Sequence, residues 1–326
     1  MRTILGGFVV LALVGLTLMT AARFAHTARQ WPVLLASFSS YALVGFLVVL
    51  AVCALMLGGA EHPRWVWAGL VLAGAGVVAQ AWWLAPLLIG GEKSRPDLTV
   101  MTANLEFGRG DAPTGVRTVA GDEVDVLVLE EVTPDSLRLL LEAGLADLLP
   151  HRRGVPDEAA AGTMVFSRYP LGAPLEFPLG NGGLDVQVQA PEPFRLLAVH
   201  TMQPVRASLP WLVDMQRVHD RAKVAVDAGP TVVVGDFNAT RDHEPMRRVL
   251  GLGLSDAAEQ SGSGWQPTWP TRYRASWMRP MIAIDHVLTT DDFEALGTHT
   301  VEIARTDHLS VVARLRVSKG RSATKG

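Results

Sequence analysis

Two regimes of hydrophobic patterning meet near Gly90. Before it run three long apolar stretches, Ile4–Ala22, Pro32–Gly59 and Val66–Ile89, whose interiors carry no ionised side chain. Each supplies the roughly 20 residues that a helix needs to cross a bilayer core. Trp31, Trp65, Trp67, Trp82 and Trp83 sit near the ends, where an amphipathic ring gains by lying at headgroup level. Gly69, Gly74 and Gly76, spaced among alanines, would let helix backbones approach closely. Gln80 is the one strongly polar residue well inside a stretch, and a helix–helix hydrogen bond is the expected use for it.

After Gly91-Glu92-Lys93-Ser94-Arg95-Pro96 the apolar runs become short and separated by turns. Strands are predicted at Leu98–Ala103, Val124–Leu129, Thr163–Phe166, Leu184–Gln189, Phe194–His200, Thr231–Val234, Ile282–Leu288 and Ser310–Val317. Helices are predicted around Asp135–Leu149, Trp211–Ala228 and Glu244–Leu250. Strands interspersed with helices imply an α/β class and a two-layer α/β sandwich. The expected organisation is a transmembrane region of three helices over residues 1–90, a linker at 91–97, one α/β domain over 98–317 and a disordered tail at 318–326.

Composition sharpens this division. Hydrophobic residues make up 49% of the chain and charged residues 19%, and the apolar excess lies before Gly91, as for a membrane region joined to a polar domain. The formal net charge is −3, with no Lys/Arg run that could track a duplex, so nucleic acid is not the favoured partner. Cys53, the only cysteine, falls within an apolar stretch, which excludes a disulfide framework and a cysteine metal site. The first stretch also fits a cleaved signal peptide, but two further stretches favour an uncleaved anchor.

Polar chemistry gathers at the ends of the predicted strands. Asn104 follows Thr99-Val100-Met101-Thr102-Ala103, Glu130 and Glu131 follow Val126-Leu127-Val128-Leu129, and His200 ends Leu196-Leu197-Ala198-Val199. Asp236 and Asn238 follow Val232-Val233-Val234-Gly235; Asp285 lies in Ile282-Ala283-Ile284-Asp285-His286; Asp307-His308 precedes the last strand. Singly, such residues are usually turn formers or structural hydrogen-bond partners. Together they supply hard oxygen ligands suited to Mg²⁺, carboxylates beside imidazoles for proton transfer, and amides that can donate to a phosphoryl oxygen.

Thr102-Ala103-Asn104-Leu105, Leu129-Glu130-Glu131-Val132, Val199-His200-Thr201, Gly235-Asp236-Phe237-Asn238, Ile284-Asp285-His286-Val287 and Thr306-Asp307-His308 resemble the ordered motifs of the endonuclease/exonuclease/phosphatase superfamily, which has a deoxyribonuclease I-like fold. Ser167-Arg168-Tyr169-Pro170 resembles its Ser-Arg-aromatic-Pro turn. The resemblance implies a Mg²⁺-dependent hydrolase, with Mn²⁺ as a substitute ion, acting on phosphoester or phosphoanhydride bonds by attack of activated water. It implies that Glu131, Asn104 and Asp307 hold the metal and that Asp236 orients or deprotonates the water. Asn238 steadies the phosphoryl oxygens, while His308, oriented by Asp285, and His200 contact the phosphate and supply charge or protons. Arg168 and Trp269 are the candidate substrate contacts.

One departure from the family pattern is Leu129-Glu130-Glu131, where Leu-Gln-Glu is usual. Because successive strand residues face opposite ways, only one of the pair should reach a metal, and Glu131 is the expected ligand. Glu130 either supports the site from behind or is solvated. A second feature is the aromatic segment between Ser261 and Pro280 containing Trp265, Trp269, Tyr273, Trp277 and Met278, which either covers a ligand, dips into the bilayer interface or packs on the sheet.

Three spans followed by this domain resemble the architecture of actinobacterial membrane proteins associated with teicoplanin resistance. That resemblance implies a multi-pass protein of the cell membrane, an extracytoplasmic domain and a phosphorylated lipid or envelope substrate, with the lipid bilayer as partner and no obligate protein partner. Local charge points the other way: Arg23, Arg29, Lys93 and Arg95 would lie outside, against Arg2 and Arg64 inside. A tethered extracellular nuclease and a catalytically silent envelope sensor or scaffold are the competing expectations.

Overall fold

The computed structural model describes residues 2–57, 63–90, 94–271 and 279–318. Two compact units emerge, one comprising Met1–Pro86 with Asp242–Glu244, the other Leu87–Arg241 with Pro245–Gly326.

The first unit is helical: α1 (Arg2–Ala22), α2 (Gln30–Ala36), α3 (Ala42–Met56) and α4 (Arg64–Leu84). Three segments, Ile4–Ala22, Ser39–Met56 and Arg64–Leu88, are long and apolar enough to cross a membrane. The second predicted stretch is therefore not one helix from Pro32. It breaks at Ser37–Tyr41, where Asp242 accepts hydrogen bonds from the Ser40 backbone N–H (3.1 Å) and hydroxyl (2.5 Å) and pairs with Arg23. Val9, Leu13, Phe46, Val49, Cys53, Val66 and Ala73 form the interior of the unit. Gly69 allows a close helix approach there, since a Cβ would come within 2.6 Å of the Cys53 sulfur and force it to shift. Gln80 is buried and donates to Thr20 Oγ1 at 3.2 Å, the helix–helix bond expected of it.

The second unit contains β1 (Leu98–Asn104), α5 (Ala112–Gly121), β2 (Val126–Glu130), α6 (Pro134–Glu142), α7 (Leu145–Leu148), β3 (His151–Gly154), β4 (Met164–Ser167), β5 (Leu175–Glu176), β6 (Gly183–Val188), β7 (Phe194–His200) and α8 (Ser208–Ala228). It continues with β8 (Thr231–Asp236), α9 (Glu244–Leu250), β9 (Ser255–Asp256), α10 (Ala257–Gln260), β10 (Asp285–Thr289), β11 (Phe293–Glu302) and β12 (Leu309–Val317). Two six-stranded sheets form, ordered β11-β12-β1-β2-β4-β3 and β5-β6-β7-β8-β10-β9. Val100, Val126, Val128, Val186, Leu196, Val232, Val234, Val287 and Leu315 belong to one buried apolar cluster between them, and α5 to α7 pack on the outer face of the first sheet through Val116, Val119, Leu140 and Leu145. Both β1 and β2 are buried along their whole length, which is why they read as continuous apolar runs. The chain thus folds as the predicted α/β sandwich, its two sheets clad by helices.

Several elements differ from expectation. The helix predicted across Asp135–Leu149 breaks into α6 and α7 at Gly144, whose φ of 94° is left-handed. Helix α5 was not anticipated because Gly115, Thr114 and Thr118 weaken its propensity. It forms because Asp111 caps it by accepting the Thr114 N–H at 3.0 Å and because Ala112, Val116 and Val119 are buried. The long strand β11 was also missed, since its alternation is interrupted where the register shifts between Ala295 and Gly297.

Candidate active site

At the heart of each sheet lies a parallel pair, and the pairs end on the same side of the sandwich. Register sets Asn104 beside Glu130 in the first sheet and His200 beside Asp236 in the second. Antiparallel β10 begins at that edge with Asp285 opposite Asp236, and β12 begins there after Asp307-His308. Strand ends fixed by buried cores therefore converge Asn104, Glu131, His200, Asp236, Asp285 and His308 on one rim.

The rim is tightly wired. Asn104 Nδ2 donates to Glu131 Oε1 and to Asp236 Oδ2, both at 3.2 Å, and the Phe107 N–H donates to Glu131 Oε2 at 2.7 Å. His308 Nδ1 lies 3.0 Å from Asp285 Oδ2, so its Nε2 faces Asp236 Oδ2 at 3.8 Å and Asp307 Oδ1 at 3.9 Å. His200 Nε2 is 3.7 Å from Asp236 Oδ2 and 3.9 Å from Glu131 Oε1. The Asn238 N–H donates to Asp236 Oδ1 at 2.8 Å, and its side-chain amide donates to the Thr201 carbonyl at 3.0 Å. Trp269 Nε1–H donates to Asp307 Oδ2 at 3.1 Å, which places Trp269 against a predicted metal ligand on the rim.

Backbone strain helps aim these groups. Glu131 and Asn238 have φ values of 56° and 47°, the left-handed region in which non-glycine residues are uncommon and cluster at functional sites. Gly235, at φ 141°, could not be another residue, because a Cβ would sit 2.1 Å from the Val199 carbonyl oxygen. Glu130 and Glu131 do part company, but the kink after β2 contributes as well as strand alternation. Glu130 is wholly buried beneath the rim, where its Oε1 accepts the Thr102 hydroxyl at 2.7 Å, so it is not solvated.

Charge at the rim is unbalanced. Burial, reinforced by repulsion from Asp285, raises the pKa of Asp236 to about 7, with His308 opposing. Burial likewise raises Glu131 against the hydrogen bonds from Phe107 and Asn104, and lifts Glu130 well above the usual carboxylate range. For His308, burial lowers the pKa, but Asp285, Asp236 and Asp307 outweigh it and push the value up to about 10. Burial and the nearby His308 charge lower His200 to about 3. His200 is therefore a neutral imidazole and hydrogen-bonding group, so that of the charge or protons that the resemblance implies for His308 and His200 the charge falls to His308.

The donor set fits a divalent cation. Asp236, Asp285 and His308 each offer an atom within 4.8 Å of the others, with Glu131 and Asp307 beside them, and the carboxylates of this cluster, not the protonated His308, are the candidate ligands. Carboxylate and amide oxygens are the ligands that hard cations take, and a bound cation would lower the carboxylate pKa values that burial here raises.

A profile of the endonuclease/exonuclease/phosphatase family matches residues 101–308, which takes in every rim residue named above. The chain belongs to that family. Its members are phosphoester hydrolases that generally use divalent metals, and the fold agrees: this protein superposes on an endonuclease/exonuclease/phosphatase from Beutenbergia cavernae with a TM-score of 0.50 and 23% identity over 68% of this chain and 72% of that one. An AP endonuclease from Archaeoglobus fulgidus gives 0.54 and 16% over 66% and 98%, and truncated TDP2 from Caenorhabditis elegans gives 0.54 and 14% over 68% and 98%. Comparison with curated proteins gave no match.

One predicted site residue lies elsewhere. Arg168 follows β4, which runs antiparallel to β2 with Ser167 opposite Val126, so it stands at the end of the sandwich away from Glu131. There it pairs with Asp125 at 3.0 Å and cannot be a substrate contact of this rim. Conversely, Asn181 was missed. Its amide contacts His200 Nε2 at 3.3 Å and the Thr201 carbonyl at 3.1 Å, and the only hint was its place between Gly180 and Gly182. Of the aromatic segment, Tyr273, Trp277 and Met278 lie outside the described residues, as do residues 319–326 of the predicted tail.

Proposed function

We propose that this protein is a membrane-anchored, divalent-metal-dependent phosphoesterase that hydrolyses a phosphoester or phosphoanhydride bond of a lipid-linked or envelope phosphate. The observation that carries the chemistry is the buried set Asp236, Asp285, His308 and Glu131, whose negative charge is relieved within the set by one imidazolium. The observation that favours a lipid-linked substrate is the trio of membrane-length apolar helices ahead of the domain, since tethering holds a site near a bilayer at high effective concentration.

Glu131, with Asn104 and Asp307, would hold Mg²⁺ or Mn²⁺. When bound, the ion offsets negative charge on the phosphoryl oxygens. Asp236, whose pKa of about 7 suits a base working near neutrality, takes a proton from the attacking water. Its own orientation is fixed by the Asn238 and Asn104 N–H groups. His308 stays protonated through its pairing with Asp285 and presents Nε2–H to a phosphoryl or leaving oxygen. Asn238 and neutral His200 complete the contacts as uncharged partners that add no repulsion toward an anionic substrate.

The deciding experiment compares hydrolysis of a polyprenyl phosphate or diphosphate, a soluble phosphodiester and DNA by the full chain in proteoliposomes, with Mg²⁺ and with chelator. Metal-dependent turnover that is fastest on the lipid substrate supports the reading. Preference for DNA establishes the tethered nuclease instead, and no turnover on any of the three establishes the silent scaffold.

A further inference from the structure

Three loops that frame the catalytic rim each present a large apolar side chain to solvent. Phe107, 45% exposed, lies just beyond β1, and its own N–H binds Glu131. Val155, 73% exposed, follows β3, whose last residue Gly154 is in register with Met164 and through it with Leu129; the same loop bonds to Val132 through the Asp157 N–H. Leu209, 60% exposed, is in the first turn of α8, which Trp211 fixes to the Phe237 carbonyl beside Asp236. Arginines accompany them: Arg206 is exposed in the third loop, and Arg109, exposed in the first, pairs with Glu106 at 3.0 Å through one of its nitrogens. Exposed apolar groups scattered singly need no explanation, but these surround one site from three independent loops.

We propose that this apolar, arginine-flanked collar is a docking surface for the bilayer, seating the catalytic rim at headgroup level so that a lipid phosphate reaches it without leaving the membrane. The inference rests on the membrane-anchored reading above. The occupant follows from the chain itself. The third membrane-length segment ends at Leu88, while the catalytic unit begins at Leu87, whose carbonyl already accepts the Gly264 N–H at 2.7 Å. The segment after Gly264 leads within five residues to Trp269 and its bond to Asp307. A bilayer spanned by that segment therefore adjoins the start of the catalytic unit in sequence. Valine, leucine and phenylalanine gain by leaving water for the acyl boundary, while arginine remains with phosphate headgroups.

The test uses the full chain with Cys53→Ala in vesicles of phosphatidylcholine and phosphatidylglycerol. Nitroxide labels are placed singly through Val155→Cys, Leu209→Cys and, on the far turn of α8, Val224→Cys. Power-saturation electron paramagnetic resonance then compares collisions with oxygen, which concentrates in lipid, and with a water-soluble nickel chelate. The collar predicts oxygen-dominated relaxation at the first two positions and nickel-dominated relaxation at Val224→Cys. Nickel-dominated relaxation at all three overturns it. In parallel, Val155→Ser/Leu209→Ser should lower the ratio of lipid-phosphate to soluble-phosphodiester turnover by at least about tenfold, since even partial burial of the two aliphatic side chains at the interface exceeds the roughly 1.4 kcal/mol that a tenfold change represents. An unchanged ratio also overturns the collar. Lipid-buried labels in a protein that hydrolyses no lipid phosphate would leave the collar standing and sink the functional reading; water-exposed labels in a protein that does hydrolyse it would do the reverse.

Discussion

Asp185 and Asp236 are both wholly buried aspartates in β-strands of the same sheet, yet their surroundings are opposite. Asp185 receives two hydrogen bonds from Arg195, at 2.7 and 2.8 Å, and a further pairing from Arg221, so its charge is answered twice. Asp236 faces Asp285, with Glu131 and Asp307 nearby, and His308 is the one cationic side chain in that group. Burial alone therefore does not mark a site. What distinguishes the rim is charge that the protein has gathered, desolvated and left uncompensated, which is costly unless a ligand supplies the balance.

The largest expected effect comes from removing the base. Asp236→Asn should reduce hydrolysis by about 10²–10⁴-fold while the metal-free protein melts no lower than the parent, because a repelling charge has been removed. Asp185→Asn should do the opposite, lowering the melting temperature by stranding two arginines while the remaining folded protein keeps its turnover. Steady-state rates and calorimetry on both variants check the contrast, and it fails if Asp236→Asn turns over normally.

A smaller effect separates the adjacent glutamates. Glu131→Gln should raise the Mg²⁺ concentration needed for half-maximal activity by at least about tenfold, the lower end of losses seen even for groups behind metal ligands. Glu130→Gln should change it little, since burial favours the protonated acid at this position and a glutamine resembles it. Metal titrations of the two variants decide it; a larger shift for Glu130→Gln would exchange their roles.

The imbalance also predicts a pH dependence. His308 has its folded pKa raised to about 10, so its contribution to stability is complete below its ordinary value near 6.5 and is lost as pH rises toward 10. Asp236, raised to about 7, likewise loses its contribution as pH climbs to that value. His200, depressed to about 3, acts in the other direction, and its contribution is lost only as pH falls below 6.5. The metal-free melting temperature should therefore fall on going from pH 6.5 to 9, and Mg²⁺ should restore more stability at the higher pH. A flat profile in that window would mean that the rim charges are screened.

The smallest effect is at the far end of the sandwich. Arg168 is half exposed and its pairing with Asp125 should be worth under about 1 kcal/mol. Arg168→Ala should leave turnover on every substrate within about twofold of the parent, since surface changes away from a site cost little. A large rise in KM would restore the substrate-binding role that the motif resemblance suggested.

These contrasts show what the sequence could reveal. Motif order located the rim because each chemical residue ends a strand whose apolar run is plain to read, as in Val232–Val234 before Asp236. Arg168 misled because its motif is a turn, and which end of the sandwich a turn occupies depends on strand direction, here the antiparallel pairing of β4 with β2. The broken second apolar stretch was illegible for a related reason. Serines at positions 37, 39 and 40 look tolerable within a span, and the partner of Ser40, Asp242, lies far away in sequence. Glu130 could be placed only once Thr102 and Gly235 were seen against it.

The most direct test of the central claim is calorimetric titration of the metal-free protein with Mn²⁺, alongside Glu131→Gln and Asp185→Asn. Uncompensated charge at the rim predicts one tight site per chain, proton release on binding at pH 7 as Asp236 ionises, weakened binding in Glu131→Gln and unchanged binding in Asp185→Asn. Absence of a tight site in the parent, or equal affinity in Glu131→Gln, would contradict the account.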